Sequence, residues 1–492
     1  MLMVKCKYCE KSVDDEEATM KHQQYFCDEV CCLEWTEKTL RDRELKEDEE
    51  ERRKARSNFV LKINNYIDNT KLFIEKHPFF YDESNSFWLW NDEKYCYELT
   101  DEIDLMNLIE RALSFGGETI NSTIKNSYME AFKRVGRERH PKEAPSKWIQ
   151  FKDKAISLTS GKVHNITPDY FFCNPIPFDL GKSNQTPTMD KLFKEWVGEE
   201  HIKTLYEVIA YCCFREYPIH LAFCFIGSGR NGKSQFQRIV ETFLGSGNIT
   251  STELELLSTG RFESFKMYKK LACMMGETNV GVFNKSAMFK KLTGGDTIGY
   301  ERKGKDPFDG ISYAKILINS NSMPISTDTS EGFYRRWFIV DFPNNFPEGK
   351  DIINTIPAVE YNNLARKISL ILPGLIEEGK FSQQGDIEQR KEDYIRASNP
   401  VTYFLDSCCT RDPTLFVSAG ELYVAYTRYL LLNKKRRVNR REFLQVLGEE
   451  GFFQNRTSKP TQEGLMESNN YIEGIFLNLD WEKCCIVDKE KE

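Results

Sequence analysis

One octapeptide constrains this chain more than anything else in it: Gly227, Ser228, Gly229, Arg230, Asn231, Gly232, Lys233 and Ser234 in succession. It matches G-x-x-x-x-G-K-[ST] at every fixed position. The run before it, 221–226 (LAFCFI), is apolar enough for a buried strand, and the run after it (QFQRIVETFL) has helical spacing. Strand, glycine-rich turn and helix, in that order, let backbone N–H groups curl around phosphates while the helix N-terminus adds positive potential. Lys233 then reaches the β- and γ-phosphates of ATP, and Ser234 holds Mg²⁺. A chance match in a glycine-rich turn would lack the flanking strand and helix.

Hydrolysis needs a carboxylate to orient the metal or the attacking water. The apolar run 271–275 (LACMM) ends in Gly276 and Glu277, the expected place for one, at the end of a buried strand beside the phosphate loop. Gly276 stands where many P-loop ATPases carry Asp. Glu277 is therefore the acid assigned to water activation, with Mg²⁺ held mainly by Ser234 and the phosphates; the alternative is a solvent-facing Glu at a strand end. A second apolar run, 314–321 (AKILINSN), ends in the amides Asn319 and Asn321. An amide there can bond the γ-phosphate or the water, although Asn also ends strands in ordinary turns. In Phe333-Tyr334-Arg335-Arg336-Trp337, an arginine presented to a neighbouring subunit's ATP would stabilise transition-state charge; the alternative is a pair of surface arginines.

Around this centre the 492 residues suit about three domains. With 40% hydrophobic and 29% charged residues, the chain can build cores and is not disordered throughout. A net charge of −7 excludes a basic nucleic-acid coat, so DNA contacts must come from local patches. No apolar run is long enough to span a bilayer, and the start (MLMVKCKYCEK) lacks a signal-peptide core. The expectation is a soluble cytoplasmic protein with reduced thiols and no membrane partner. Residues 1–35 are cysteine-rich, 36–57 form a charged helical linker, 58–190 an accessory region, and 191–215 a helical collar. Residues 216–345 alternate short apolar runs with turns and helices, the texture of a parallel α/β sheet. A helical connection (346–395) leads to a winged-helix-like region (396–492).

Cys6-x2-Cys9 and Cys27-x3-Cys31 are separated by 17 residues, a spacing that suits one tetrahedral Zn²⁺ with four thiolate ligands. So small and polar a segment buries little core, so the metal would stabilise its fold. Four cysteines leave no open position, which makes the zinc structural; His22 or Cys32 are alternative ligands. Cys212, Cys213, Cys408 and Cys409 read as buried small hydrophobes. In the tail, Lys434, Lys435, Arg436, Arg437, Arg440 and Arg441 precede a helix. They would contact phosphates beside a recognition helix, or else form a solvated basic loop.

The order GSGRNGKS, LACMMGET, KLTGGD (291–296), KILINSNSMP, FYRRWFIVDF resembles superfamily 3 helicases. The nearest branch is the phage/plasmid-type primase-helicases, which include the poxvirus primase-helicase. NPIPFDL with the helical stretch after it, and SNPVTYFLDSCC through GIFLNLDW, resemble the flanks of that core, so the resemblance spans residues 75–480 or thereabouts. The YFCDEVC phrase resembles small treble-clef fingers. The resemblance implies a P-loop, AAA+-like α/β core with a helical accessory region and a winged-helix tail. It makes Lys233 and Ser234 the ligands of nucleotide and Mg²⁺, Glu277 the Walker B acid, Asn321 the γ-phosphate sensor, and Arg335 or Arg336 the finger. A finger acting in trans implies a ring of identical chains, usually a hexamer. The pore contact would be the hairpin 300–308, with Arg302, Lys303 and Lys305 tracking phosphates; outside the family it would read as a solvated turn. Residues 58–190 are short for a primase and show no D-x-D pair, so helicase without primase is expected. The implied function is ATP-dependent unwinding of single-stranded or forked DNA, beside other replication proteins, for a viral, plasmid or integrated element. The alternative is an ATP-regulated DNA-binding initiator or sensor with little processive unwinding.

Overall fold

A computed structural model describes residues 65–113, 121–227, 229–276, 282–283, 285–347, 352–432, 439–460, 466–478 and 481, with four short strands within 3–26. Those strands form two antiparallel pairs, Met3–Lys5 with Ser12–Asp14 and Thr19–Lys21 with Gln24–Phe26. Cys6, Cys9, Cys27 and Cys31, the proposed zinc ligands, lie outside the described residues, as do His22, Cys32 and the linker 36–57. Among the described residues no group of three or more His, Cys, Asp or Glu is placed to hold a metal, and no helix is long and apolar enough to cross a membrane. By its contacts the chain forms two compact units, Met1–Tyr81 with Thr100–Arg139, and Asp82–Leu99 with His140–Glu492.

The first unit is built on α1 (Tyr66–Lys76) and α2 (Ser122–Glu138). Asn121 caps α2, its side chain accepting the Ile124 N–H at 3.0 Å. Tyr128, Phe132 and Val135 fall on one face of α2 and are buried. Phe132 meets Phe73 of α1 edge-on at 5.4 Å, and Asn69 Nδ2 donates to the Tyr128 hydroxyl at 2.9 Å. A Cβ on Gly136 would lie 2.9 Å from the Tyr81 nitrogen, so only glycine lets α2 approach strand Phe79–Tyr81 this closely.

The second unit contains a five-stranded sheet: β1 (Ala222–Ile226), β2 (Ile249–Ser251), β3 (Ala272–Met275), β4 (Lys315–Ser320) and β5 (Trp337–Asp341). The order is β2-β3-β4-β1-β5 and every pairing is parallel. Such a sheet needs both faces covered, which is why these runs are continuously apolar. Alternate side chains divide between two cores. Phe223, Phe225, Met274, Leu317 and Val340 join one; Cys224, Cys273, Met275, Ile316 and Ile318 join the other. The first core is closed by α3 (Pro187–Val197), α4 (Ile202–Cys212), α5 (Lys233–Leu244) and α6 (Ala358–Glu378). Glu360 of α6 is buried and accepts the Thr188 and Met189 N–H groups at 3.0–3.1 Å, satisfying orphan donors at the α3 N-terminus. Lys315 is fully buried on β4 and donates to the carbonyls of Phe214 (2.5 Å), Glu216 (2.7 Å) and Tyr313 (2.8 Å), with the Tyr211 ring 4.5 Å away. It fastens the end of the collar helix to the sheet.

The tail comprises α7 (Pro400–Cys408), β6 (Cys409–Ser418), α8 (Ala419–Leu432), α9 (Arg440–Glu449), β7 (Gln454–Pro460) and β8 (Met466–Leu477). The strands form an antiparallel sheet in the order β6-β8-β7. Phe404, Tyr426, Tyr429, Phe443, Ile472 and Ile475 fill its core. Cys408 and Cys409 are buried here, as Cys212 and Cys213 are in the sheet unit.

Candidate active site

The octapeptide leaves the C-terminal end of β1 and enters α5, whose first residue is Lys233. Ser228 lies outside the described residues. Gly229, Arg230 and Gly232 have φ of +99°, +52° and +93°, the positive-φ backbone from which anion-binding loops of N–H groups are built. Gly232 is fixed twice: by its φ, and because a Cβ there would lie 2.6 Å from atoms of the buried Trp196 indole. A Cβ on Gly227 would strike the Asn231 amide at 1.6 Å and the Phe342 carbonyl at 2.6 Å. Asn231 is itself buried and donates to that carbonyl at 3.1 Å. The Phe346 N–H donates to Arg230 O at 2.8 Å, so the segment after β5 braces the loop from outside.

Lys233 Nζ donates to Gly227 O at 2.5 Å and to Asn321 Oδ1 at 3.3 Å. The lysine of the loop and the amide just beyond β4 are thus brought together, as neighbours β1 and β4 allow. Asn319, the other amide of that run, is buried and bonds Gln237 on α5 instead. This separates the two amides: Asn319 ties the sheet to the helix, and Asn321 faces the lysine. Ser234 is exposed on the first turn of α5. The donor set, backbone amides at a helix N-terminus with one lysine and one serine hydroxyl, fits a Mg²⁺-bound triphosphate. β3 ends at Met275 beside β4; Gly276 follows, and Glu277 lies outside the described residues.

The two arginines before β5 have different surroundings. Arg336 is buried and its Nη1 donates to the Gly332 carbonyl, while its Nε has no hydrogen-bond partner. Burial, and after it the Arg335 charge, hold its guanidinium below the usual arginine range. Arg335 is exposed. The turn leading to it is set by Asp328, which bonds Ser286 and Ser330 and pairs with Lys290 at 2.6 Å. Although burial opposes it, those hydrogen bonds hold the Asp328 carboxyl well below the usual range.

Strands Thr297–Tyr300 and Phe308–Ile311 pair antiparallel and form the expected hairpin, with Tyr300 opposite Phe308. Tyr300 is fully buried. Arg302 donates to Ser84 O at 2.6 Å and stands 4.7 Å from the Phe265 ring centre, so this cation is engaged in the fold. Lys303 and Lys305 are exposed on the turn, either side of Gly304 at φ +73°. In the tail, Lys434, Lys435, Arg436 and Arg437 lie outside the described residues. Arg440 and Arg441 are exposed on the first turn of α9, capped by Asn439. Cations at the positive end of a helix dipole are unfavourable unless an anion is near. Trp196, Gln237 and the 342–346 brace are parts of the site that sequence reasoning missed; they carry no motif.

Residues 225–336, from the end of β1 through Arg336, match the model of a family described as "Family of unknown function (DUF5906)". Over 137 residues, 26% of this chain, the sequence is 28% identical to "Putative helicase 121R" of Invertebrate iridescent virus 3. That match spans 14% of the viral protein's length. Among solved structures, "The apo structure of NrS-1 C terminal region" covers 84% of this chain and 99% of its own, at 13% identity and a TM-score of 0.46. An A form apo structure of the same region covers 82% and 98%, at 10% identity and a TM-score of 0.43.

Proposed function

We propose that this chain is a Mg²⁺-dependent ATPase that drives a DNA helicase ring, of the superfamily 3, phage/plasmid-type kind, in the replication of a viral, plasmid or integrated element. The observation that carries the reading is the meeting of Lys233 with Asn321 at the mouth of a glycine loop between a buried strand and a helix. The strand order supports an AAA+-like core, since β4, which leads to Asn321, lies between the loop strand β1 and the strand β3 that leads to Glu277. The similarity over part of the chain to a viral protein named as a helicase points the same way.

In this reading the loop amides and Lys233 hold the phosphates' charge, and Asn321 orients the γ-phosphate or the attacking water. Glu277 takes the proton of that water. Mg²⁺, when bound at Ser234, neutralises charge developing on the phosphates. Arg335, exposed beside an Arg336 engaged by its own subunit, is the finger offered to a neighbouring chain in a hexameric ring. Lys303 and Lys305 contact DNA in the pore, and Arg302 holds the hairpin in place. Residues 396–492 act as a winged-helix DNA contact through Lys434, Lys435, Arg436, Arg437, Arg440 and Arg441. Cys6, Cys9, Cys27 and Cys31 hold a structural Zn²⁺ in residues 1–35.

The test is ATP turnover by the purified chain with and without single-stranded DNA, beside strand separation of a forked duplex. DNA-stimulated turnover with unwinding is expected. Turnover without unwinding would refute the motor and favour a DNA-binding initiator.

A further inference from the structure

Away from the glycine loop, the second unit carries an open cavity of about 1230 Å³. Small-molecule pockets run to about 300–1,000 Å³, so this one has room for a short length of chain. Its wall carries Lys94, Lys152, Lys266, Lys269 and Lys270 against three acids, Glu93, Glu98 and Asp153. Cations outnumber acids among the lining groups themselves, while Asp179, Glu263 and Glu143 pair with three of the lysines. The part-exposed rings of Tyr95, Phe265 and Tyr268 share the wall, and rings beside cations suit bases beside phosphates.

Backbone strain gathers at the same place. Among the described residues six non-glycine positions have positive φ; Tyr95 (+52°), Lys152 (+46°) and Lys269 (+55°) all line this cavity. A fourth, Arg230 (+52°), belongs to the phosphate loop. Such conformations cost free energy in long side chains and persist where a binding or catalytic role retains them. The cations are positioned but exchangeable. Lys94–Glu98 (2.7 Å), Lys152–Asp179 (2.6 Å) and Lys266–Glu263 (2.9 Å) are ion pairs with exposed lysines, which contribute little and can trade partners for a phosphate. Lys270, half-buried, donates to Gly247 O at 2.5 Å. Burial holds its ammonium below the usual lysine range, and an anion would offset that.

The wall is also joined to the active site through the chain. α5 begins at Lys233 and ends at Leu244, next to the wall residue Gly245, so its 12 residues span about 18 Å between loop and cavity. Lys269 and Lys270 lead directly into β3, the strand that runs to Gly276 and Glu277.

We propose that this cavity is a binding site for a segment of single-stranded DNA, distinct from the hairpin and the tail. The proposal rests on the reading of the chain as a DNA-dependent ATPase. The full chain carrying Lys94→Glu, Lys152→Glu and Lys266→Glu, all exposed positions, is compared with wild type and with the triple Gln variant. Circular dichroism and the urea midpoint report folding. Affinity for a fluorescent oligothymidylate is read by anisotropy across a salt series, and the ratio of turnover with and without that DNA is read in parallel. The Glu variant should bind about tenfold more weakly or worse, with the salt slope reduced by at least about 2, the value for three lost contacts at 0.7 each, which is also the reduction expected of the Gln variant. In affinity the Gln variant should fall between wild type and the Glu variant. Unchanged affinity in the Glu variant overturns the proposal, as does thymidine monophosphate competing as well as the oligonucleotide at equal phosphate, which would mark a mononucleotide site. Weakened binding together with wild-type turnover that ignores DNA would support this site and refute the motor reading. Unchanged binding beside DNA-stimulated turnover would do the reverse.

Discussion

Replacing Gly232 with alanine tests the account of the phosphate loop most directly, because two separable costs act at one position. The first is conformational: at φ +93° and ψ −10° an L-residue meets its own backbone, for about 1–2 kcal/mol. The second is steric. The new Cβ would sit 2.6 Å from the indole of Trp196, which is 1% exposed and cannot swing away, and overpacking of this kind costs about 1–3 kcal/mol. Together they predict a loss of about 2–5 kcal/mol. Gly229 is the internal control. Its φ is +99°, but a Cβ there meets nothing within 4 Å, so Gly229→Ala should cost only the conformational term, about 1–2 kcal/mol. Urea denaturation at constant slope measures both. Trp196→Phe in the Gly232→Ala background should recover part of the steric term, with a coupling of about 0.5–3 kcal/mol. If the two glycine variants lose the same stability within about 0.5 kcal/mol, Trp196 is not what fixes the loop and the argument fails.

Lys233→Ala should lower ATP turnover about 100-fold or more with an unchanged circular dichroism spectrum; normal turnover would remove the loop from the chemistry. Arg335→Ala should lower turnover about 10³-fold or more while leaving ATP affinity intact, whereas Arg336→Ala should lose about 1 kcal/mol or more of stability by removing a buried side chain and the donor of the part-buried Gly332 carbonyl. Reversed effects in the two assays would exchange their roles. Burial pushes the Lys315 ammonium down to about 7, so between that pH and the ordinary lysine range the unfolded chain binds the proton that the native chain has released. Unfolding free energy should therefore rise with pH above 7, by at most about 1.4 kcal/mol per unit from this group, and be flat in it below. Lys315→Met should abolish that part of the slope, and a variant with the wild-type slope would refute it.

What the sequence made legible is local chemistry with a fixed spacing. The glycine loop, the strand before it and the helix after it are dictated within two dozen residues, and the structure forms all three there. The amides after the second apolar run were equally visible, but their division of labour was not. Asn319 lies within β4 and bonds Gln237, whereas Asn321 lies just beyond the strand, where its side chain meets Lys233, and only the sheet order brings β4 beside the loop strand. The same holds for Arg335 and Arg336. The first is exposed and the second buried in the turn before β5, and nothing in the local composition says which is turned inward. Arg302 read as a free cation on a turn because its partner, Ser84, lies 218 positions away in sequence. Glu277, the four N-terminal cysteines and Lys434, Lys435, Arg436 and Arg437 fall outside the described residues.

These cases share a physical cause that bears on how the chain would couple DNA to ATP. Motifs specify what a residue can do, whereas long-range packing specifies which copy of a residue type is free to do it. Arg302 and Arg336 are spent on holding the fold, which leaves Lys303 and Arg335 as exposed cations of their pairs. The cations of the 1230 Å³ cavity are likewise assembled by packing, from segments around residues 94, 152 and 266–270 that show no common motif. The elements that reach this wall, α5 and the approach to β3, are those that carry Lys233 at one end and lead to Glu277 at the other. A helix that starts at the loop and ends beside the wall would carry a displacement of one end to the other as long as its backbone hydrogen bonds hold. A ligand that moves Gly245 therefore acts on the loop through about 18 Å of helix, and glycine substitution within α5, at about 1 kcal/mol per site, should weaken stimulation of turnover by DNA more than it weakens DNA binding.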